Sequence, residues 1–172
     1  MGARSARYAV SSRESWLAFE ARSTLHGVNG KAAGLDGFVD ATFHDDGTLA
    51  GEPPPRMHLE LPVEQMRSGN ALQDREMYKL VDSKRFPRIS ADLRDVTAGA
   101  PGRYSASGDV TLSGRSRRYA GDFSLIHEGN TITIEGELNV DIREFGLKPP
   151  SLLILRVEPV VRVRLHLVAR SD

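Results

Sequence analysis

The sequence predicts an all-β fold, an antiparallel barrel of about eight strands with one short helical excursion at about residues 70–82. Three observations predict it: apolar and polar residues alternate along most of the chain, tight-turn signals separate the alternating segments, and one long stretch in the middle breaks the pattern. The clearest alternation sets Leu155, Val157, Pro159, Val161, Val163, Leu165 and Leu167 against Arg156, Glu158, Val160, Arg162, Arg164 and His166. Ile132, Ile134, Gly136, Leu138 and Val140 repeat it against Thr131, Thr133, Glu135, Glu137 and Asn139. Strands with one dry and one wet face belong to antiparallel sheets, because strands of a helix-covered parallel sheet are apolar on both faces.

Comparable strands are drawn at about 7–11 (a short cap), 16–23, 35–44, 56–63, 88–96, 103–112 and 117–126. Asp45-Asp46-Gly47, Gly99-Ala100-Pro101-Gly102, Ser113-Gly114 and His127-Glu128-Gly129-Asn130 suit tight connections, so meander hairpins are expected from about residue 88 onward. Pro159 has no amide to donate, which predicts irregular pairing in the last strand. Gly51 to Pro55 reads as a stiff connection between strands. The stretch from Glu64 to Pro87 is too long for a hairpin. Leu72, Met77, Leu80 and Val81 in it suit a short helix, with Asn70 as N-cap and Glu76 facing Lys79 one turn on.

Half-wet strands with almost no helix leave a sandwich or a closed barrel, and closure is favoured because it removes sheet edges. Alternation turns Ala21, Ala41, Ala91, Ala106, Gly108, Gly121 and Gly136 inward, small residues that leave a lumen in an eight-stranded barrel. The competing reading is that Phe19, Phe43, Phe86, Tyr104, Tyr119 and Phe123 fill it.

A chain of 172 residues buries enough surface to fold as one domain, 1–172, with its first five or six residues expected as a loose tail. Its 23 basic and 23 acidic side chains balance, which argues against nucleic acid as a partner. Cysteine is absent, removing thiolate metal sites and thiol nucleophiles. The N-terminal MGARSARYAV has no apolar run, so the expectation is a cytoplasmic protein, periplasmic or secreted only if a leader has been removed. Ala6 stands where N-myristoylation requires Ser or Thr.

No metalloprotease helix motif, serine-nucleophile elbow, phosphate loop or dinucleotide fingerprint occurs. His26, His44, His58, His127 and His166 are scattered, and His44, His58 and His166 alternate with apolar neighbours and are expected to face solvent. Asp45 with Asp46, and Asp92 with Asp95, read as turn and surface residues. No enzyme activity, metal or cofactor is therefore expected. His26 sits where two glycines break the alternation, and it reads either as a bulge residue capping backbone groups or as a donor to a ligand head group. Asn70, Asp74 and Arg75 read as anchors of the long connection, with Arg143 pairing a carboxylate there or extending into water.

Six motifs run in order over nearly the whole chain: Tyr8-Ala9-Val10, Leu25-His26-Gly27-Val28-Asn29-Gly30, Ser68-Gly69-Asn70-Ala71-Leu72-Gln73-Asp74-Arg75, Phe86-Pro87-Arg88-Ile89, Gly108-Asp109-Val110-Thr111-Leu112-Ser113-Gly114 and Arg143-Glu144-Phe145-Gly146-Leu147. In this set and order they resemble the motifs of the YceI-like family of polyisoprenoid-binding proteins. The resemblance implies an extended lipocalin-like barrel around an elongated apolar cavity, partly covered by the segment from about Ser68 to Pro87. It implies a non-catalytic role in binding, storing or transporting a long apolar or amphiphilic molecule, an isoprenoid or lipid. Two features depart from the family pattern: no leader is read, and Asp74-Arg75-Glu76-Met77-Tyr78 replaces the more usual Asp-x-His-Leu.

Candidate ligand contacts are Phe19, His26, Asn70, Asp74, Met77, Leu80, Phe86, Phe123, Arg143 and Phe145, with Asp74 the preferred partner of Arg143. Transient membrane contact and a homodimer are compatible with this reading. Burial alone supports such a ligand, since ten methylenes contribute about 8 kcal/mol before ordering costs. A partner-binding scaffold with a filled barrel, and an enzyme whose groups meet only in the fold, are the alternatives.

Overall fold

The structure is a computed structural model and describes residues 2–24, 27–149, 151–152 and 155–172. In chain order the described residues form β1 (Ala3–Val10), β2 (Trp16–Ser23), β3 (Val28–Ala32), β4 (Asp36–His44), β5 (Arg56–Pro62), β6 (Met66–Arg67), α1 (Ala71–Val81), β7 (Arg88–Ala98), β8 (Arg103–Leu112), β9 (Arg115–Glu128), β10 (Thr131–Asp141), β11 (Ser151–Leu152) and β12 (Leu155–Arg170). Every pairing is antiparallel.

The long β12 receives β1 near its C-terminal end, at Val10↔Ala169, and β2 along its middle, at Leu17↔Leu165. β1 and β2 are therefore successive halves of one path. β4 and β3 pair with them in the same way, and β5 and β6 pair in turn with β4 and β3. Counted by path, the chain is an eight-stranded barrel in which each path pairs with the next in sequence and the last closes on the first. Closure leaves few free edges and turns one face of each strand inward.

Several elements differ from the sequence reading. β1 begins at Ala3, so most of the expected loose tail is paired with β4, from Ala3↔His44 to Ala9↔Phe38. Backbone pairing needs no apolar side chain, and Ser5 meets Thr42 hydroxyl to hydroxyl at 2.6 Å. The described end of the glycine-broken segment, Val28-Asn29-Gly30, belongs to a separate strand: β3 runs antiparallel to β2, pairing Phe19 with Gly30. Gly30 is required there, because a Cβ would lie 2.2 Å from Phe19 Cζ and 2.5 Å from the Arg67 carbonyl oxygen. Pro159 behaves as expected, since the pairing of β12 with β2 shifts register between Val157 and Val161.

The helix forms as its sequence predicts. The Asn70 side chain accepts from the Leu72 and Gln73 amides at 3.0 and 3.1 Å, satisfying two otherwise orphaned donors. Lys79 meets Glu76 at 3.5 Å. Asp82 adopts the left-handed conformation that stops the helix. Tyr78, which the sequence reading left without a role, donates its hydroxyl to the Met66 and Glu64 carbonyls at 2.7 and 3.1 Å and so moors α1 to β6.

Of the three apolar clusters among the described residues, two mark the ends of the barrel and a smaller one gathers Ala32, Leu35 and Leu61. At the end holding the chain termini, Tyr8, Phe43, Tyr104, Leu125, Ile132 and Leu167 pack solidly. His127 stacks on Phe43 with ring centroids 3.9 Å apart and lies 3.3 Å from the Tyr8 hydroxyl, so this histidine helps to close that end. At the opposite end Val63, Val81, Leu112, Val140 and Phe145 form a second cluster beneath α1.

Candidate ligand cavity

Between the two clusters lies a hollow of about 340 Å³, within the range of ordinary ligand pockets. Its wall is almost wholly apolar. Leu17, Phe19 and Ala21 come from β2, Ile134, Gly136 and Leu138 from β10, Val161, Val163 and Leu165 from β12, and Met77, Leu80 and Val81 from α1. Among the predicted small residues, Ala21, Ala91, Ala106, Gly121 and Gly136 do line it, whereas Ala41 belongs to the packed end. The barrel is thus filled at one end and hollow at the other: Phe43 and Tyr104 plug it, while Phe19, Tyr119 and Phe123 stand in the cavity wall.

Polar groups gather at the helical end. Gln73 and Glu76 reach the wall from α1. β9 and β10 pair only as far as Asp122↔Glu137, beyond which they part. A 3-10 turn, Ile142–Phe145, meets the side of β9 there: Phe145 stacks on Tyr119 at 6.0 Å and 9°, and the Tyr119 hydroxyl donates to Glu144 at 2.7 Å. Burial, reinforced by the Glu144 carboxylate, pushes the Tyr119 phenol up to about 12. Tyr119 therefore stays a neutral donor in the cavity wall. Inward parity along β9, running through Tyr119, Gly121, Phe123 and Leu125, places it among the aromatics expected to face the lumen, though not among the expected ligand contacts.

Of the residues proposed from sequence, Phe19, Met77, Leu80 and Phe123 line the cavity. Phe145 is fully buried behind Tyr119 rather than on the wall. Asn70 caps α1, and Asp74 accepts from the Ser68 amide and hydroxyl at 2.8 and 2.7 Å, so both shape the connection rather than the lumen. Phe86 lies outside the cavity, under Arg85 and over the Ser113-Gly114 turn, where the missing side chain of Gly114 makes room for its ring. His26 lies outside the described residues.

The expected Arg143–Asp74 bridge is not formed. Arg143 is exposed and grips Asp141 with two nitrogens, at 3.0 and 2.7 Å, while the same carboxylate accepts the Arg143 amide at 3.0 Å. A partner two residues away costs little chain entropy to meet, and it has captured the guanidinium. The turn at Gly146, with φ 76°, buries Phe145 and leaves Arg143 exposed.

On the outer face, His58 stands between Asp92 at 2.7 Å and Glu60 at 3.2 Å, and hydrogen bonding to these carboxylates raises its pKa against the opposing effect of burial. His166 pairs with Glu135 and stacks on Trp16. Among the described residues no cluster of histidines and carboxylates could hold a metal ion, and no helix is long and apolar enough to cross a membrane.

Comparison with known proteins agrees with this geometry. A family model described as the YceI-like domain matches residues 8–169. BcnA from Burkholderia cenocepacia superposes with a TM-score of 0.77 at 16% identity, covering 93% of this chain and 99% of BcnA. A polyisoprenoid binding domain from Saccharophagus degradans superposes with a TM-score of 0.73 at 13% identity, covering 96% and 98% of the two chains. The YCEI protein of Campylobacter jejuni gives 0.68 at 11% identity, covering 84% and 85%. At these identities the likeness is one of fold. No curated protein matches the sequence significantly.

Proposed function

The chain belongs to the YceI-like domain family, and from that premise we propose that its barrel holds a long apolar or amphiphilic molecule, a polyisoprenoid or similar lipid, without altering it chemically. The observation that carries this reading is the apolar hollow of about 340 Å³ bounded by a packed end and a helix. The polyisoprenoid-binding relative from Saccharophagus degradans supports the same ligand class.

The tail lies against Phe19, Phe123, Ile134 and Leu165, where each methylene removed from water contributes roughly 0.8 kcal/mol. A polar head stays at the helical end, within reach of Gln73, Glu76 and Tyr119. Glu60, Asp122 and Glu137 border the hollow but give their carboxylates to Arg88, Ser105 and Arg162, so chain length is selected by depth and head group at the rim. Loading and release involve transient contact with a membrane, because so apolar a molecule is scarce in water.

Native mass spectrometry and organic extraction of the purified protein test the reading. A bound isoprenoid or lipid at about one per chain is expected. Protein that carries nothing and takes up no solubilised polyprenol would overturn it.

A further inference from the structure

The proposed function leaves open which surface meets the membrane and what that membrane must offer. We propose that the helical end of the barrel docks on an anionic lipid bilayer through a basic rim formed by Lys84, Arg85, Arg115, Arg117 and Lys148, with Leu72 entering the headgroup layer. This inference rests on the ligand reading above.

The rim borders the cavity. The Ser113 hydroxyl donates to the Val81 carbonyl at 3.0 Å, pinning the β8–β9 turn to the end of α1. The Arg85 guanidinium lies 5.2 Å over the Phe86 ring, which itself covers Gly114. Next along the chain, Arg115 lies against Gly146, where a Cβ would come 2.8 Å from its Nη1. Val81, Leu112 and Leu147 of the cavity wall are neighbours of these residues in sequence.

All five cations are exposed, and none forms an ion pair within 4 Å among the described residues. Along the barrel wall Arg7, Arg88, Arg94, Arg118 and Arg162 each pair with a carboxylate, whereas Arg4, Arg103 and Arg164, like the rim cations, form no ion pair among the described residues. Of the acidic groups near the rim, Asp141 is paired by Arg143 and Glu76 by Lys79, while Glu144 and Asp74 accept from the neutral hydroxyls of Tyr119 and Ser68 and the exposed Asp82 is in no ion pair among the described residues, so five cations stand against three carboxylates without a cationic partner. At the closed end the long connection, residues 45–55, holds Asp45, Asp46 and Glu52 and no Lys or Arg, with Arg4 and Arg103 on the adjoining strands. The mouth thus presents exposed, unpaired cations where that connection presents only carboxylates. A bilayer with anionic headgroups attracts the mouth and turns the cavity toward the lipid.

Leu72 supplies the apolar part of the contact. It lies in the first turn of α1, one residue before the cavity-lining Gln73, and is 62% exposed. Leu72 stands at one end of α1 and the cations at the other, and an exposed apolar side chain combined with cations on one surface is the composition of an interfacial membrane contact.

Co-flotation with isoprenoid-free vesicles tests the proposal. Vesicles of phosphatidylcholine with phosphatidylglycerol are expected to bind the protein, those of phosphatidylcholine alone are not, and raised salt releases it. The triple variant Lys84→Glu, Arg85→Glu, Arg115→Glu is expected to lose about tenfold or more in partitioning, while Arg103→Glu at the closed end leaves it unchanged. Neutralising only Lys84→Gln and Arg115→Gln gives an intermediate loss and covers the case in which the triple variant fails to fold. Equal binding to neutral vesicles, no binding to either, or insensitivity to the rim substitutions overturns the docking surface. Uptake of a detergent-solubilised fluorescent polyprenol is measured on the same variants and is expected to survive in all of them. Loss of polyprenol uptake by the unaltered protein with vesicle binding retained would sink the ligand reading and leave the docking intact.

Discussion

At the scale of single residues, the side chains that looked functional in sequence divide by what captures them first. Asn70 and Asp74 are held by amides and a hydroxyl within six residues, and Arg143 by a carboxylate two residues away. Local capture fixes the connections and leaves the lumen to apolar groups. Replacing Asn70 by alanine removes two acceptor bonds and is expected to cost about 1 kcal/mol in urea unfolding, with Asn70→Asp restoring most of it. His58 offers a test in pH. Its partners Asp92 and Glu60 raise its pKa above the ordinary 6.5, so its stabilising contribution is complete below about 6.5 and is lost as pH rises through the higher folded value. The site is partly solvated, so the contribution is at most about 1 kcal/mol. His58→Gln is therefore expected to lower the melting temperature at pH 5 and to leave it nearly unchanged at pH 9; an equal deficit at both would remove the charge-based account.

At the scale of elements, α1 is where local signals and tertiary placement agree. Its cap and its Glu76–Lys79 pair start and support the helix, and Met77, Leu80 and Val81 give it a stripe that faces the cavity. Met77 and Leu80 are only half-buried, so replacing both by serine is expected to cost about 2 kcal/mol in all. The larger effect is on retention, because the stripe is one wall of the hollow. A folded double variant should release a bound polyprenol several-fold faster in a displacement assay, and unchanged release would remove the covering role of α1. β3 illustrates the opposite case. Val28-Asn29-Gly30-Lys31-Ala32 has little alternation and a central glycine, so nothing local marks it as a strand, and it forms because β2 and β6 flank it.

At the scale of the whole molecule, one barrel performs two tasks by dividing its length. Aromatic residues plug the end with the termini, and small residues on the wall leave the rest open beneath α1. Filling the open part should separate the tasks. Ala106 faces the cavity, and Ala106→Phe places a ring in empty space rather than in packed core, so the usual overpacking cost of about 1–3 kcal/mol is largely avoided. Ligand content measured by extraction is expected to fall sharply while the unfolding midpoint is held or rises. Undiminished ligand content in a folded variant would place the tail somewhere other than this hollow.

What the sequence by itself determined is whatever short-range chemistry decides. Period-two alternation assigned the inner and outer faces of β10 and β12, turn residues divided the meander from β7 onward, and a cap with an apolar stripe placed α1 to within a residue or two. The tertiary structure alone decided which inward residues border empty space and which pack, since Phe43 and Phe123 follow the same alternation and differ only in where along the barrel they lie. It also decided that Phe86 leaves the lumen for the Gly114 turn, that Arg143 turns to Asp141, and that Tyr119 joins Glu144 where β9 and β10 part. Alternation specifies a side of the sheet but not a depth, and a cavity is a matter of depth. Depth is set only when eight paths close and their register brings distant residues to the same level.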